Sequence, residues 1–127
     1  MRLRKVTGAD GELVFKLCKK YGKVTALSEP ITNLYLTEAE YNALSQLSGA
    51  PVKKRRYAIG GGSLDLYVSP NTGLAVFEVE FETEEAAAGY TPPSFVRAEV
   101  THESPYSGAS LAWQQAQTSR PAGGSVV

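Results

Sequence analysis

The sequence predicts an α+β protein in which antiparallel strands form a barrel, or tunnel, with helices packed outside it. Three observations support this prediction. The predicted strands carry one apolar and one charged face, strands rich in basic residues are matched by an acidic strand, and two segments carry helix-capping signals. A closed sheet with its charged faces inside and helices outside would give both kinds of face a partner.

The clearest strand signal lies in residues 74–82, where apolar and charged side chains alternate. Successive side chains of a strand point to opposite faces, so the apolar residues share one face and three carboxylates share the other. These carboxylates are Glu78, Glu80 and Glu82. They would repel one another, so we expect positive charge nearby. The alternative is that they form the solvated outer face of an edge strand.

Basic side chains alternate in the same way along strands predicted at residues 1–6, 12–21 and 52–59. The basic residues on the charged faces are Arg2, Arg4, Lys16, Lys20, Lys54 and Arg56. A polyphosphate with its metal ion would explain both kinds of strand. Lysine and arginine neutralise phosphate oxygens, and carboxylates hold a hard cation such as Mg²⁺ that keeps water and phosphate oxygens as its other ligands.

The remaining elements are predicted from local signals. Thr37 and Glu40 form a capping box that opens a helix, and the Gly-Ala-Pro sequence at residues 49–51 ends it. Thr83 is the predicted N-cap of a second helix, which Gly89 stops.

Two weaker strands complete the prediction. Residues 24–31 are predicted to form an extended segment that Pro30 breaks, which is typical of an edge strand or a bent strand. A short strand at residues 64–68 carries Asp65 on the charged face. This carboxylate could orient a basic residue or the metal ion, or it could form a structural salt bridge to Arg56.

Composition limits the class of protein. The chain has 127 residues, and its 13 basic and 13 acidic side chains cancel, so no net field attracts nucleic acid or a membrane. The single cysteine, Cys18, excludes an internal disulfide, and no signal peptide or membrane-spanning run is recognisable. We therefore expect a cytoplasmic protein with one domain at residues 1–117 and a disordered tail at residues 118–127.

Several short motifs follow one another along the chain in a characteristic order. They are Lys54-Arg55-Arg56-Tyr57, Leu64-Asp65-Leu66-Tyr67, Gly73-Leu74, Glu78-Val79-Glu80-Phe81, Pro93, Glu99-Val100-Thr101, Tyr106-Ser107 and Leu111-Ala112. Their order resembles that of the CYTH family of triphosphate tunnel metalloenzymes, over nearly the whole chain to about Trp113. That family includes inorganic triphosphatases, thiamine triphosphatase and a class of adenylate cyclase, built on an antiparallel tunnel lined by charge.

The resemblance implies divalent-metal-dependent binding and hydrolysis of a triphosphate-containing small molecule, namely inorganic, thiamine or nucleoside triphosphate. It implies that Glu78 and Glu80 bind Mg²⁺ or Mn²⁺, with Glu82 as a weaker candidate. Glu78, Glu80, Lys54 and Arg56 are the predicted catalytic residues. The predicted phosphate contacts are Arg2, Arg4, Lys16, Lys20, Lys54, Arg56 and Arg97.

One departure from the family pattern concerns the beginning of the chain. The family opens with an ExExK strand that completes the metal site, whereas this sequence starts at residues 1–4 with what resembles the second strand. We therefore expect an incomplete tunnel, weak turnover and a possible homodimer formed through the open edge. The alternative is a catalytically degenerate module that binds polyphosphate or nucleotide, or that only self-associates.

Overall fold

A computed structural model describes residues 1–25, 29–107 and 110–112. The chain divides into two compact units, Met1–Gly49 and Ala50–Val127. Each unit contains a three-stranded antiparallel sheet, and short helices complete an α+β fold. Within the described residues the strands do not close into a barrel, so the predicted tunnel is not confirmed.

The sheet of the first unit has the order β1-β2-β3. Its strands are β1 (Arg2–Thr7), β2 (Leu13–Lys20) and β3 (Ile31–Leu36). A tight turn joins the first two strands, with the Gly8 amide donating to the Glu12 carbonyl at 2.8 Å. The basic strands predicted at residues 1–6 and 12–21 are therefore confirmed, and they pair as an antiparallel hairpin.

The third strand lies later in the chain than the sequence predicted. We expected an extended segment at residues 24–31, of which residues 26–28 lie outside the described part, and the observed strand is Ile31–Leu36. Pro30 has no amide hydrogen to donate to a neighbouring strand, so the ladder begins at the residue that follows it. The predicted position was wrong because the proline marks the start of the strand and does not interrupt it.

Helix α1 (Glu38–Leu44) begins at the predicted capping box. The Thr37 amide donates to Glu40 Oε2 at 2.7 Å, and the Glu40 amide donates to Thr37 Oγ1 at 3.3 Å. The Tyr41 ring lies 5.0 Å from the ring of Phe15, which is only 9% exposed. The helix therefore covers the apolar face of β2, although it ends earlier than predicted.

The sheet of the second unit has the order β4-β5-β6. Its strands are β4 (Lys53–Ile59), β5 (Gly62–Ser69) and β6 (Ala75–Glu78). Gly60 and Gly61 both have positive φ angles, 58° and 75°, in the turn between β4 and β5. This conformation favours glycine because the residue has no Cβ.

The acidic strand β6 is shorter than the sequence predicted. It ends at Glu78, so Glu80 and Glu82 lie outside it. The reason is the length of its neighbour, because β5 begins at Gly62 and the last register pair joins Ser63 to Glu78. Beyond that pair only Gly62 of β5 remains, so the ladder cannot continue as far as Glu80.

The apolar side of the acidic segment packs against the chain that follows α2 (Glu84–Ala88). Phe77 and Phe95 form an edge-to-face pair with ring centroids 5.2 Å apart, and the rings of Phe81 and Tyr90 lie 5.0 Å apart. Such pairs hold aromatic rings in defined orientations. They fix the apolar face and leave the glutamates on the other side.

The last described residues contact the turn between β5 and β6. A short 3₁₀ helix spans Ser104–Tyr106, and the Asn71 side-chain amide donates to the Leu111 carbonyl at 2.9 Å. The predicted tail at residues 118–127 lies outside the described part. No helix among the described residues is long and apolar enough to cross a membrane.

Candidate functional site

Three basic side chains lie together on one face of the first unit's sheet. Arg4 of β1 is directly opposite Lys16 of β2 in the register. Arg2 lies two residues before Arg4 and therefore points to the same face. We call Arg2, Arg4 and Lys16 the basic face.

In the part of the chain that the structure describes, the charges of the basic face have no carboxylate partners. Among the described residues, the ion pairs involve other side chains and leave Arg2, Arg4 and Lys16 unpaired. All three side chains are half-buried. Like charges placed directly opposite each other on neighbouring strands destabilise a sheet. An anion bound between them would remove this repulsion.

The same face continues across β2 onto β3. Lys16 is directly opposite Tyr35, which is 75% exposed, and Cys18 is opposite Asn33. Arg4, Lys16 and Tyr35 therefore form a row that crosses the three strands. The sequence prediction missed Tyr35 because it placed the third strand at residues 24–31 and not at Ile31–Leu36. An alternation counted from Pro30 would have identified it.

Lys20 differs from the three residues of the basic face. Its Nζ donates to Glu29 Oε2 at 2.7 Å, so a carboxylate already neutralises its charge. Both side chains are partly exposed, and such surface pairs are weak. The predicted phosphate contact at Lys20 would have to compete with this pair.

The second unit contains a different arrangement, which we call the ion-pair cluster, formed by Lys54, Arg56, Asp65 and Glu78. Arg56 Nε donates to Asp65 Oδ1 at 2.6 Å, and Arg56 Nη2 donates to Asp65 Oδ2 at 2.7 Å. Lys54 Nζ donates to the same Oδ2 atom. Arg56 Nη2 also donates to Glu78 Oε2 at 2.9 Å.

Asp65 is the centre of this cluster and is 0% exposed. Burial alone would raise the pKa of the Asp65 carboxyl, but hydrogen bonds and attraction from Arg56 and Lys54 outweigh burial and lower it. Asp65 is therefore ionised at neutral pH. Of the two roles that the sequence left open for Asp65, the structure contains the salt bridge to Arg56.

The cluster also fixes the charge of Arg56. The hydrogen bond to Asp65 raises the pKa of Arg56, and burial opposes this effect only in part. Two cations and two carboxylates balance one another in the cluster. The predicted phosphate contacts at Lys54 and Arg56 thus lie in a neutral group, unlike those of the basic face.

The residues present do not form a metal site by themselves. Within the described ranges, no three acidic, histidine or cysteine side chains lie close enough to hold a metal ion. Glu78 accepts a hydrogen bond from Arg56, and Glu80 and Glu82 are exposed beyond the end of β6. Arg97 is exposed in an irregular segment. A metal ion at these carboxylates would therefore need water or substrate phosphates as further ligands.

Comparisons with known protein families, with curated proteins and with solved structures find no match.

Proposed function

We propose that the chain binds a triphosphate-containing small molecule through the basic face. The observation that supports this proposal is the direct opposition of Arg4 and Lys16, with Arg2 beside them and no carboxylate paired with any of the three in the described part of the chain. A folded protein gains no stability from placing like charges opposite each other. Such a face therefore favours a role in binding an anion.

The chemistry of the three side chains suits a polyphosphate. An arginine guanidinium can donate two parallel hydrogen bonds to phosphate oxygens, and a lysine ammonium acts as a compact point charge. A triphosphate offers several anionic groups in one molecule and can satisfy adjacent cations at once. The resemblance to the CYTH family, carried by short motifs in order, supports the same ligand class.

Hydrolysis of a triphosphate with Mg²⁺ or Mn²⁺ is the second candidate function, which we propose for the second unit by itself, with Glu78, Glu80, Lys54 and Arg56 as its catalytic residues. Glu78 and Glu80 remain its proposed metal ligands, with Glu82 as a weaker one, and the exposure of all three favours access to a cation. Mg²⁺ commonly uses one or two carboxylates together with substrate phosphates. The CYTH-type tunnel and a homodimer through an open edge are likewise proposals.

Thermal melting with tripolyphosphate tests this function. In EDTA, we expect tripolyphosphate to raise the melting temperature of the wild-type protein, because a ligand at about a hundred times its dissociation constant adds about 2.7 kcal/mol of stability. Inorganic sulfate at the same ionic strength is the control for a general salt effect. An equal shift with sulfate would contradict specific binding.

Two further arms test hydrolysis. Mg²⁺ or Mn²⁺ is added to the same samples, phosphate release is measured, and the E78Q/E80Q variant is compared with wild type. If Glu78 and Glu80 hold the metal ion, we expect the cation to raise the melting temperature of wild type further and to leave that of this variant unchanged. If the variant retains the full cation-dependent shift, Glu78 and Glu80 are not the metal ligands. If tripolyphosphate binds and no phosphate is released with either metal, the protein is a binding module.

A further inference from the structure

We propose that Tyr35 provides a stacking surface for an aromatic ring attached to the triphosphate, so that the preferred ligand is an aromatic triphosphate ester such as a nucleoside triphosphate. This inference rests on the proposed function of the basic face. It adds a specificity-determining residue, and it distinguishes aromatic esters from inorganic triphosphate.

The strand register places Tyr35 beside the basic face. Lys16 is paired with Arg4 on one side and with Tyr35 on the other, and residues paired in this way share one face of the sheet. Two strand spacings separate Arg4 from Tyr35, which is about 10 Å. Phosphates held at Arg4 and Lys16 would therefore leave the rest of the ligand close to the tyrosine.

The exposure of Tyr35 differs from that of a packing residue. Its 75% exposure contrasts with Phe15, which is 9% exposed and lies against Tyr41. Tyr21, another exposed tyrosine of this unit, already contacts the Lys19 ammonium at 4.7 Å from its ring centroid. An exposed ring next to one cation, Lys16, with a second cation, Arg4, one strand further away, suits a nucleotide, since bases stack on aromatic rings while cations neutralise the phosphates.

Stacking is sequence-tolerant because every base has an aromatic face. Tyr35 would therefore favour any ligand with a flat ring and would not select one particular base. Replacement of Tyr35 leaves the cations of the basic face, which bind the phosphates of either ligand, in place. The change in the ratio of ATP affinity to tripolyphosphate affinity between wild type and a Tyr35 variant therefore reports on Tyr35.

Calorimetric titration in EDTA tests the inference with ATP and tripolyphosphate as the two ligands. The proteins are wild type, Y35A and Y35F, where Y35F keeps the ring and removes only the hydroxyl. We expect Y35A to weaken ATP binding about ten-fold, the loss of one stacking contact, and to leave tripolyphosphate affinity within about two-fold. We expect Y35F to bind both ligands like wild type.

The outcomes separate this inference from the function on which it rests. If Y35A leaves ATP affinity unchanged while tripolyphosphate still binds, the stacking role of Tyr35 is wrong and the basic face remains. If Y35A weakens both ligands equally, Tyr35 does not select the ring. If neither ligand binds wild type, the proposed function and this inference both fail. Circular dichroism of Y35A confirms that the comparison is made on folded protein.

Discussion

Replacement of Asp65 by asparagine is expected to lower the free energy of unfolding by about 2 kcal/mol. Removing one partner from a buried ion pair costs about 3–5 kcal/mol, and the partial exposure of Arg56, 45% for its side chain, reduces that cost. D65N leaves Lys54 and Arg56 close together without a buried counter-ion. Urea unfolding followed by circular dichroism measures the change.

The E78Q variant is the control, because it breaks the exposed ion pair and leaves the buried one intact. We expect it to cost less than about 1 kcal/mol.

The pH dependence gives a second check. The pKa of Asp65 is lowered in the folded state, so its stabilisation is present above the unfolded value of about 3.9 and is lost as pH falls through the folded value. The difference between wild type and D65N should therefore shrink below about pH 4, and a difference that grows there would contradict the assignment.

Replacement of both Arg4 and Lys16 by glutamine is expected to weaken tripolyphosphate binding about 100-fold. Each charged hydrogen bond contributes about 1.5 kcal/mol, so the loss of two corresponds to about 3 kcal/mol. The same variant should be as stable as wild type or slightly more stable, because the substitution removes a repulsive pair. Calorimetric titration and urea unfolding measure the two effects.

The K5Q/K19Q variant is the matched control for this experiment. It makes the same change in net charge on the same two strands, but Lys5 and Lys19 lie on the opposite face from the basic face. We expect its tripolyphosphate affinity to remain within about two-fold of wild type, since exposed charges at a distance are screened by salt. Equal losses in both variants would indicate a general charge effect and would remove the basic face as a site.

The basic face and the ion-pair cluster differ in whether carboxylates neutralise their cations. In the ion-pair cluster, Asp65 and Glu78 balance Lys54 and Arg56, so the positive charges stabilise the fold of the second unit. The basic face has no such carboxylate in the described residues. Side chains that could be replaced without loss of stability are better candidates for binding than side chains that the fold needs.

Much of the local structure could be predicted because its signals are short in range. The capping box at Thr37 and the N-cap at Thr83 depend on residues within one helical turn, and both are observed. Period-two alternation likewise identified the two basic hairpin strands. These features depend on neighbouring residues alone, so no knowledge of the tertiary fold was needed.

Other features depend on pairing between distant residues and could not be read from local pattern. The end of β6 at Glu78 follows from where β5 begins, and the alternation of the sequence continues past it. The burial of Asp65 between two cations also requires the register of β4 with β5. Sequence alone could place Asp65 on the charged face but could not choose between its two possible roles.

Arginine side-chain NMR tests most directly whether Arg2, Arg4 and Lys16 bind the phosphates. Tripolyphosphate is titrated in EDTA into protein labelled with ¹⁵N, and the Nε–Hε signals are assigned by single substitutions. We expect the signals of Arg2 and Arg4 to shift in a saturable way. The signal of Arg55, which lies on the face of β4 opposite to that of Arg56, should stay unchanged. Saturable shifts at Arg56 or Arg97 without shifts at Arg2 and Arg4 would contradict binding at the basic face.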